Sequence, residues 1–590
     1  MNLMKLLDYY KATFPGEIFE KTKRKILIST NLFLDNKKKV PKDISVSKYF
    51  YLNEKSKEFK SLDNYFEIFN FKINLLEPIN WEILDKDKNK EWFKIKISDY
   101  KDIKYTWEIN RLQFLLPLAI SNNKKRGLEI LDSWIEENKF LKGPNRCSNL
   151  EVAIRSVSIL NFLNYINDNK IIEKYKNHLY QHAQYIYREI FYTEKCIPNN
   201  HLVGEAAALY CLSKFFKSTE TSKWEDKSKK VLKKYLSHIR EDGTYLEASL
   251  SYHRFFLQMY IMVYLYSKKT KDNFLEKEIE EILKKSFVFL KSIEKPNRKY
   301  PDFGDNDEGY FYKILLNKNF YSFVDSLEYI LWPTTAKENN ELKFLFEEIY
   351  NMKLKEKEKT GVELKDFFSK GKFIVKKENN NYFFINNQSQ IFHTHSDGLS
   401  IELMLEGKEI LTDSGTFNYN LNKDKRNYYR GTKSHNTILL DNSDQSKQIG
   451  SFRWIHEAKS SLHINKIENI VKIVGEIKTK NRANHLRTVK LEKDFGFIEI
   501  IDEVKNVKAL ELNWHFAEGI ELKKIKNGEY KIIGTDYIIS IENSFSTDII
   551  LAKSLYSNSY GKECLRENIR IKNIEIKNTY ILKTIIRSDK

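Results

Sequence analysis

The chain has 590 residues, enough for two or three units that each bury a core of their own. Hydrophobic residues make up 41% of it and aromatics 14%, with only 20 Gly and 9 Pro, which excludes a disordered, linker-rich or collagen-like chain. A formal net charge of +19, from 100 Lys and Arg against 81 Asp and Glu, favours an anionic partner such as an acidic glycan, a nucleic acid or a membrane surface.

Residues 1–100 mix a helical start with an aromatic, lysine-rich stretch around Trp81 and Trp92, and read as a small lead-in subdomain. From about 105 to 350 apolar residues recur at helical spacing, first as Trp107, Phe114, Leu115 and Leu118, then as Leu128, Leu131, Trp134 and Ile135. Further amphipathic stretches at about 150–167, 171–192, 201–217, 223–239, 249–267 and 274–293 are separated by short polar turns. Such a run implies helix-on-helix packing, either a solenoid or a closed toroid of hairpins.

The period changes after the charged segment Lys353 to Lys359. Short β-like runs follow, from Lys372–Lys376 and Tyr382–Ile385 through Ile401–Leu405, Ile438–Leu440, Val471–Ile473, Phe497–Ile501 and Tyr530–Ile533 to Ile538–Ile541. They predict a large β-sandwich with its boundary near 360–372. The expected division is a lead-in at 1–100, an all-helical domain at 101–365 and a β domain at 366–590.

The scattered cysteines Cys147, Cys196, Cys211 and Cys564 show no CxxC spacing and read as free thiols. Asp8 interrupts any signal-like apolar core at the amino terminus, and no later apolar run would span a bilayer, so a soluble cytoplasmic protein is the expectation unless a leader was removed. Zinc-finger spacing, RNP-like aromatics and a P-loop are absent from the sequence, which argues against nucleic acid.

Four segments carry chemistry: Pro198-Asn199-Asn200-His201-Leu202-Val203-Gly204-Glu205, Glu247-Ala248-Ser249-Leu250-Ser251-Tyr252-His253, His393-Thr394-His395-Ser396-Asp397, and Leu411-Thr412-Asp413-Ser414-Gly415-Thr416 followed by Ser434-His435-Asn436. Each has an ordinary structural reading. Asn200 precedes an Ala-rich helix and would serve as an N-cap. Tyr252 shares a helical face with Phe256, Met259, Tyr260 and Val263 and would be a core aromatic. His201 and Glu205 are one turn apart and would pair on a helix surface. His393 and His395, at i and i+2, would share one side of a strand, which suits a metal or a catalytic pair. Asp413 and His435 supply the remaining ligand types of an Asp–His–His zinc environment. Asp305 and Asp307 lie in a Gly-Asp-Asn-Asp-Glu-Gly turn whose acids are expected to bond backbone amides, although paired carboxylates could also act as a glycosidase acid and base.

Together with Gly304-Asp305-Asn306-Asp307 and Leu150-Glu151-Val152-Ala153-Ile154-Arg155, these segments resemble the signature segments of the heparinase II/III superfamily, which includes alginate lyases. The resemblance runs in order from about residue 105 to 445. It departs from the pattern at Asn145-Arg146-Cys147, where an aromatic would be expected.

The resemblance implies an α+β multidomain protein: an N-terminal (α/α) toroid followed by an antiparallel β-sandwich, with substrate in the cleft between them. The implied activity is that of a polysaccharide lyase, cleaving an acidic, uronate-containing polysaccharide by β-elimination. In that chemistry the C5 proton lies beside a carboxylate whose charge must be neutralised, a base removes the proton and an acid protonates the departing O4. The resemblance assigns Asn200 to neutralise the carboxylate, Tyr252 as the acid and His201 or His393 as the base. It places a structural divalent ion, expected to be Zn2+, on His395, Asp413 and His435. Glu205, Arg430 and Asn436 are expected at the substrate, Arg430 because a guanidinium fork matches carboxylate and sulfate oxygens. The alternatives are a uronyl hydrolase using Asp305 or Asp307, and a non-catalytic protein that binds acidic glycan or nucleic acid.

Overall fold

The computed structural model describes residues 16–29, 44–48, 65–69, 71–81, 87–314, 320–337, 339–357, 367–370, 373–387, 392–467, 469–544, 549–573 and 578–589. The helical start expected within residues 1–15, and most of the 360–372 boundary, lie outside them. The lead-in segment contributes a helix at Glu17–Ser29 and a hairpin of Tyr65–Ile68 with Phe71–Asn74.

Six helices occupy the six amphipathic stretches: Asn149–Ile166, Asn169–Cys196, Asn200–Phe215, Thr221–Tyr235, Leu250–Thr270 and Glu276–Ile293. They alternate in character. The Asn149, Asn200 and Leu250 helices are buried around nearly their whole circumference, whereas the Asn169, Thr221 and Glu276 helices bury one stripe and expose the other. A helix apolar all round needs neighbours on every side, and a one-sided helix covers it. The chain therefore builds an inner layer of three helices under an outer layer. Gly204 lets the inner helices approach closely, because a Cβ there would lie 2.5 Å from Leu150 Cδ1 and 3.1 Å from Met259 Cε.

Strands dominate from Phe367 onward, and their pairings are antiparallel. A five-stranded sheet runs in sequence order from Phe367–Lys370 to Lys408–Leu411. An eight-stranded sheet joins the ladder from Lys459 to Lys505 to the Thr579–Ser588 strand and then to the Tyr537–Asn543, Glu529–Ile532 and Leu522–Lys526 strands. A four-stranded sheet pairs Ile438–Leu440, Leu510–His515, Lys562–Asn573 and Ile549–Ser559.

The five-stranded sheet joins the two halves of the molecule. Along its Phe373–Glu378 and Asn381–Asn386 strands, Phe373, Val375, Tyr382 and Phe384 enter the apolar core of the helices. The residues between them, Ile374, Phe383 and Ile385, enter the core of the β region. A period of two with both faces buried explains why these strands read as continuous apolar runs rather than as alternation.

Among the described residues, the four cysteines form no disulfide. Among the described residues, no helix is long and apolar enough to cross a membrane.

Candidate active site

A cavity of about 380 Å³ lies where the two halves meet, lined from the helical side by Asn200, His201 and Tyr252 and from the β side by His393, Tyr419 and Phe452. Leu150 and Glu151 also border it, so the first turns of all three inner helices end there. Helix N-termini carry partial positive charge, and Lys104 and Arg111 stand on the same wall, paired with Glu108, Asp307 and Glu151.

The helix starts explain how the side chains reach the cavity. Asn199, not Asn200, caps its helix, accepting from the His201 backbone N–H at 3.0 Å. That leaves the Asn200 side chain available, and it is fully buried. Its Nδ2 donates to Glu247 at 2.7 Å, its backbone N–H donates to the same carboxylate at 2.9 Å, and its Oδ1 has no hydrogen-bond partner. Ser249 caps the next inner helix by accepting from the Tyr252 backbone N–H, and its hydroxyl donates to the Asp305 carbonyl. Gly304 makes this meeting possible, since at φ +68° a Cβ would lie 2.5 Å from the Ala248 carbonyl oxygen and 2.7 Å from that of His393.

Tyr252 stacks on His393 with ring centroids 3.6 Å apart and planes 15° from parallel. Its hydroxyl donates to Asp307 at 3.0 Å and lies 3.1 Å from the Tyr419 hydroxyl. Burial, then the negative charges of Asp307 and Asp305, push the Tyr252 phenol well above its ordinary range, so it stays protonated. His201 moves the other way: burial, with the Arg111 and Lys104 charges nearby, pushes its imidazole down to about 3, so it is neutral at physiological pH. His393 Nδ1 is 3.1 Å from Asp305, and its Nε2 lies 3.8 Å from Glu247.

Asp305 is the hub beneath the site. Arg426 grips it through both guanidinium nitrogens at 2.5 and 2.8 Å, while His393 Nδ1 and His395 Nε2 each approach at 3.1 Å. Burial alone would raise this carboxyl, but Arg426 and the two histidines outweigh it and hold Asp305 well below the usual carboxylate range. The expected side-chain bonding of Asp305 to backbone amides is thus corrected. Asp307 does accept from the Gly309 backbone, but it also holds Lys104 at 2.9 Å, and burial is overcome so that its pKa falls to about 2.

His395, Asp413 and His435 come together as expected, with ligand atoms that all lie within 4.8 Å of one another. His435 Nδ1 is 2.6 Å from Asp413, and its buried Nε2 has no hydrogen-bond partner. Two imidazoles and an ionised carboxylate are a zinc-type donor set, so these residues fit a divalent ion. His393 and His395 sit on a loop rather than the expected strand; Asp305, bonded to both rings, sets their shared direction.

Three residues expected at the substrate lie elsewhere. Glu205 points from its helix to the Thr193 hydroxyl at 3.0 Å rather than to His201, and burial, with no ion pair among the described residues, raises it to about 8. Arg430 is fully buried, stacked 4.4 Å over Trp454 and donating to the Gly450 carbonyl. Asn436 donates to the Ile401 and Thr412 carbonyls and accepts from the His515 backbone, so it ties strands together. Sequence reasoning missed Glu247, Tyr419, Arg426 and Phe452. Glu247 lay inside a quoted segment, but nothing in sequence signalled the other three.

The chain is similar to known proteins along most of its length. The model of the heparinase II/III N-terminus matches residues 4–328, and that of the heparinase II/III-like C-terminal domain matches residues 365–581. Heparin-sulfate lyases of Pedobacter heparinus and Bacteroides stercoris are 22% and 21% identical over 61% and 70% of this chain. The chain spans 55% and 64% of their respective lengths. Among solved structures, heparinase III is 15% identical with a TM-score of 0.64, covering 98% of this chain and 93% of that one. Heparan sulfate lyase HepC from Pedobacter heparinus is 19% identical with a TM-score of 0.52, covering 88% of this chain and 84% of that one. The fold is shared with these structures, and the two family matches together span most of the sequence: the chain belongs to the heparinase II/III family.

Proposed function

We propose that the protein is a polysaccharide lyase that cleaves an acidic, uronate-containing glycosaminoglycan of the heparan sulfate type by β-elimination. The observation that carries the reading is the stacked Tyr252–His393 pair, a protonated phenol against an imidazole anchored by Asp305, in a cavity bordered by three helix N-termini. The inner and outer helices are read as an (α/α) toroid and the packed sheets as a β-sandwich, with the lead-in, helical and β domains divided as the sequence suggests.

A uronate carboxylate in this cavity meets the positive ends of the helices, with Lys104 and Arg111 on the same wall. Asn200 Nδ2 spends one hydrogen on Glu247 and keeps a second for the carboxylate. With Nδ1 held by Asp305, His393 offers Nε2 as the base for the C5 proton, the geometry in which a carboxylate fixes a histidine tautomer. As the C4–O4 bond breaks, Tyr252 transfers its phenolic proton to O4. A departing alkoxide is basic enough to take it even from a phenol of high pKa, and ionised Asp307 then favours reprotonation of the phenolate. Neutral His201 serves as a hydrogen-bonding neighbour rather than as the principal base. A divalent ion on His395, Asp413 and His435 supplies fixed positive charge that ties together the segments carrying the base; no proton transfer depends on it.

The geometry counts against a uronyl hydrolase. Such an enzyme needs a carboxylic acid that keeps its proton near neutral pH, and Arg426 and Lys104 hold Asp305 and Asp307 ionised. The test is incubation with heparan sulfate, heparin, hyaluronan, chondroitin sulfate and alginate, followed in the near ultraviolet. A lyase produces the absorbance of a C4=C5 unsaturated uronate from at least one polymer. Saturated ends would support the hydrolase, and intact polymers the binding protein.

A further inference from the structure

Behind the catalytic cavity lies a second one of about 840 Å³, walled off by the strap Gly304–Tyr310. The strap serves both sides. Asp307 and Gly309 line the catalytic cavity, while Asn306, Glu308 and Tyr310 line the second. Five basic side chains also line the second cavity, and three of them are matched by carboxylates: Lys295 by Glu402 and Glu409, Lys299 by Glu409, and Arg298 by Glu294 and Asp325.

The other two are not. Arg254 is 5% exposed and has no carboxylate within ion-pair distance among the described residues. One of its nitrogens donates to the Gly309 carbonyl at 2.9 Å, while its buried Nε has no hydrogen-bond partner. Its guanidinium carbon lies over Tyr310, 3.6 Å from the ring centroid, with the Phe320 centroid at 5.5 Å. Lys313 has its ammonium 5.0 Å from the same Tyr310 centroid and likewise makes no ion pair among the described residues. Burial lowers its pKa, with Glu108 and Glu308 only partly compensating, and burial also pushes Glu308 towards its neutral form. Buried Arg254 and half-buried Lys313 thus both approach one aromatic ring in a polar cavity, and neither is ion-paired among the described residues, as a buried cation ordinarily would be.

We infer that Arg254 and Lys313 form a second anion-binding subsite that takes a sulfate or carboxylate group of an acidic saccharide, with Tyr310 and Phe320 as the apolar surface beside it. A guanidinium fork and a point-charge ammonium beside the same ring suit a tetrahedral or planar oxyanion. Aromatic faces beside them suit the apolar face of a pyranose. The anion site stands on this geometry alone, whereas the saccharide class rests on the function proposed above.

The test uses the whole chain carrying Tyr252→Phe, so that saccharide is not consumed, with and without Lys313→Met. One probe is selenate, located in crystals by its anomalous scattering. The other is a size-defined sulfated heparan tetrasaccharide, followed by calorimetry. The expected result is selenate between Arg254 and Lys313, its displacement by the tetrasaccharide, and a second binding phase weakened roughly tenfold or more by Lys313→Met. Lys313→Met keeps the aliphatic stem, and Arg254→Gln, checked by thermal melting, provides an independent loss of the same phase. Selenate that the tetrasaccharide fails to displace would overturn the saccharide assignment in favour of a free inorganic anion. No selenate at this position, or unchanged tetrasaccharide binding in Lys313→Met, would overturn the site itself. Failure of the lyase reading would show separately, as missing near-ultraviolet product with this site still binding.

Discussion

The helix that carries His201 and Glu205 and the strap-and-sheet segments that carry Asp305 and Asp413 treat these four ionisable groups in opposite ways. On the helix, His201 is pushed down to about 3 and buried Glu205 up to about 8, so both are neutral near pH 7. On the other side, Asp305 stays ionised against Arg426, and Asp413 against His435. Glu205, Asp305 and Asp413 are all buried, yet only Glu205 is neutral, so burial alone does not decide the charge. The partner does. Neutral His201 is free to face a substrate, while the fixed charges of Asp305 and Asp413 hold loops in position.

The contrast breaks most severely if the cation under Asp305 is removed. Arg426→Met leaves a buried carboxylate whose two strongest bonds are gone, and unfolding free energy should fall by about 3–5 kcal/mol in denaturant titration. A change within about 0.5 kcal/mol would mean that Asp305 is not held as a charge. The second effect concerns His395, Asp413 and His435. Protein purified without chelator should carry close to one divalent ion per chain by elemental analysis, and His435→Ala should lose it along with thermal stability. Wild-type protein without any such ion would remove the metal from the account.

The smallest effect sharpens the neutral side. Glu205 binds its proton more tightly folded than unfolded, about 8 against an ordinary 4.5. Its contribution is therefore complete below about pH 4.5 and lost as pH rises through about 8. Glu205→Gln should flatten that part of the stability curve and help most at alkaline pH. A variant whose melting curve tracks wild type at pH 5 and pH 9 alike would contradict the raised value.

The helices and strands were legible because their periods are local, and the switch from helical to β spacing was visible in the sequence. The segments bearing Asn200, Tyr252, His393 and the three ligand residues were legible as ordered motifs. What escaped was set by distant contacts. Tyr419 matters because it meets Tyr252 across 167 positions, and Arg426 because it meets Asp305 across 121. Glu205, Arg430 and Asn436 were misplaced for a related reason. Proximity in sequence to a functional residue does not say which way a side chain turns, and all three turn into packed backbone or a neighbouring helix.

The central claim is that Tyr252 delivers a proton as a uronate linkage breaks, and Tyr252→Phe on the polymer identified by the panel tests it most directly. The substitution keeps the ring that stacks on His393 and removes the hydroxyl that bonds Asp307 and Tyr419. Near-ultraviolet turnover should fall by about 10²-fold or more while thermal stability and polymer binding stay close to wild type, the signature of a group acting in the transition state. Turnover within a few-fold of wild type would show Tyr252 to be a packing residue and contradict the mechanism.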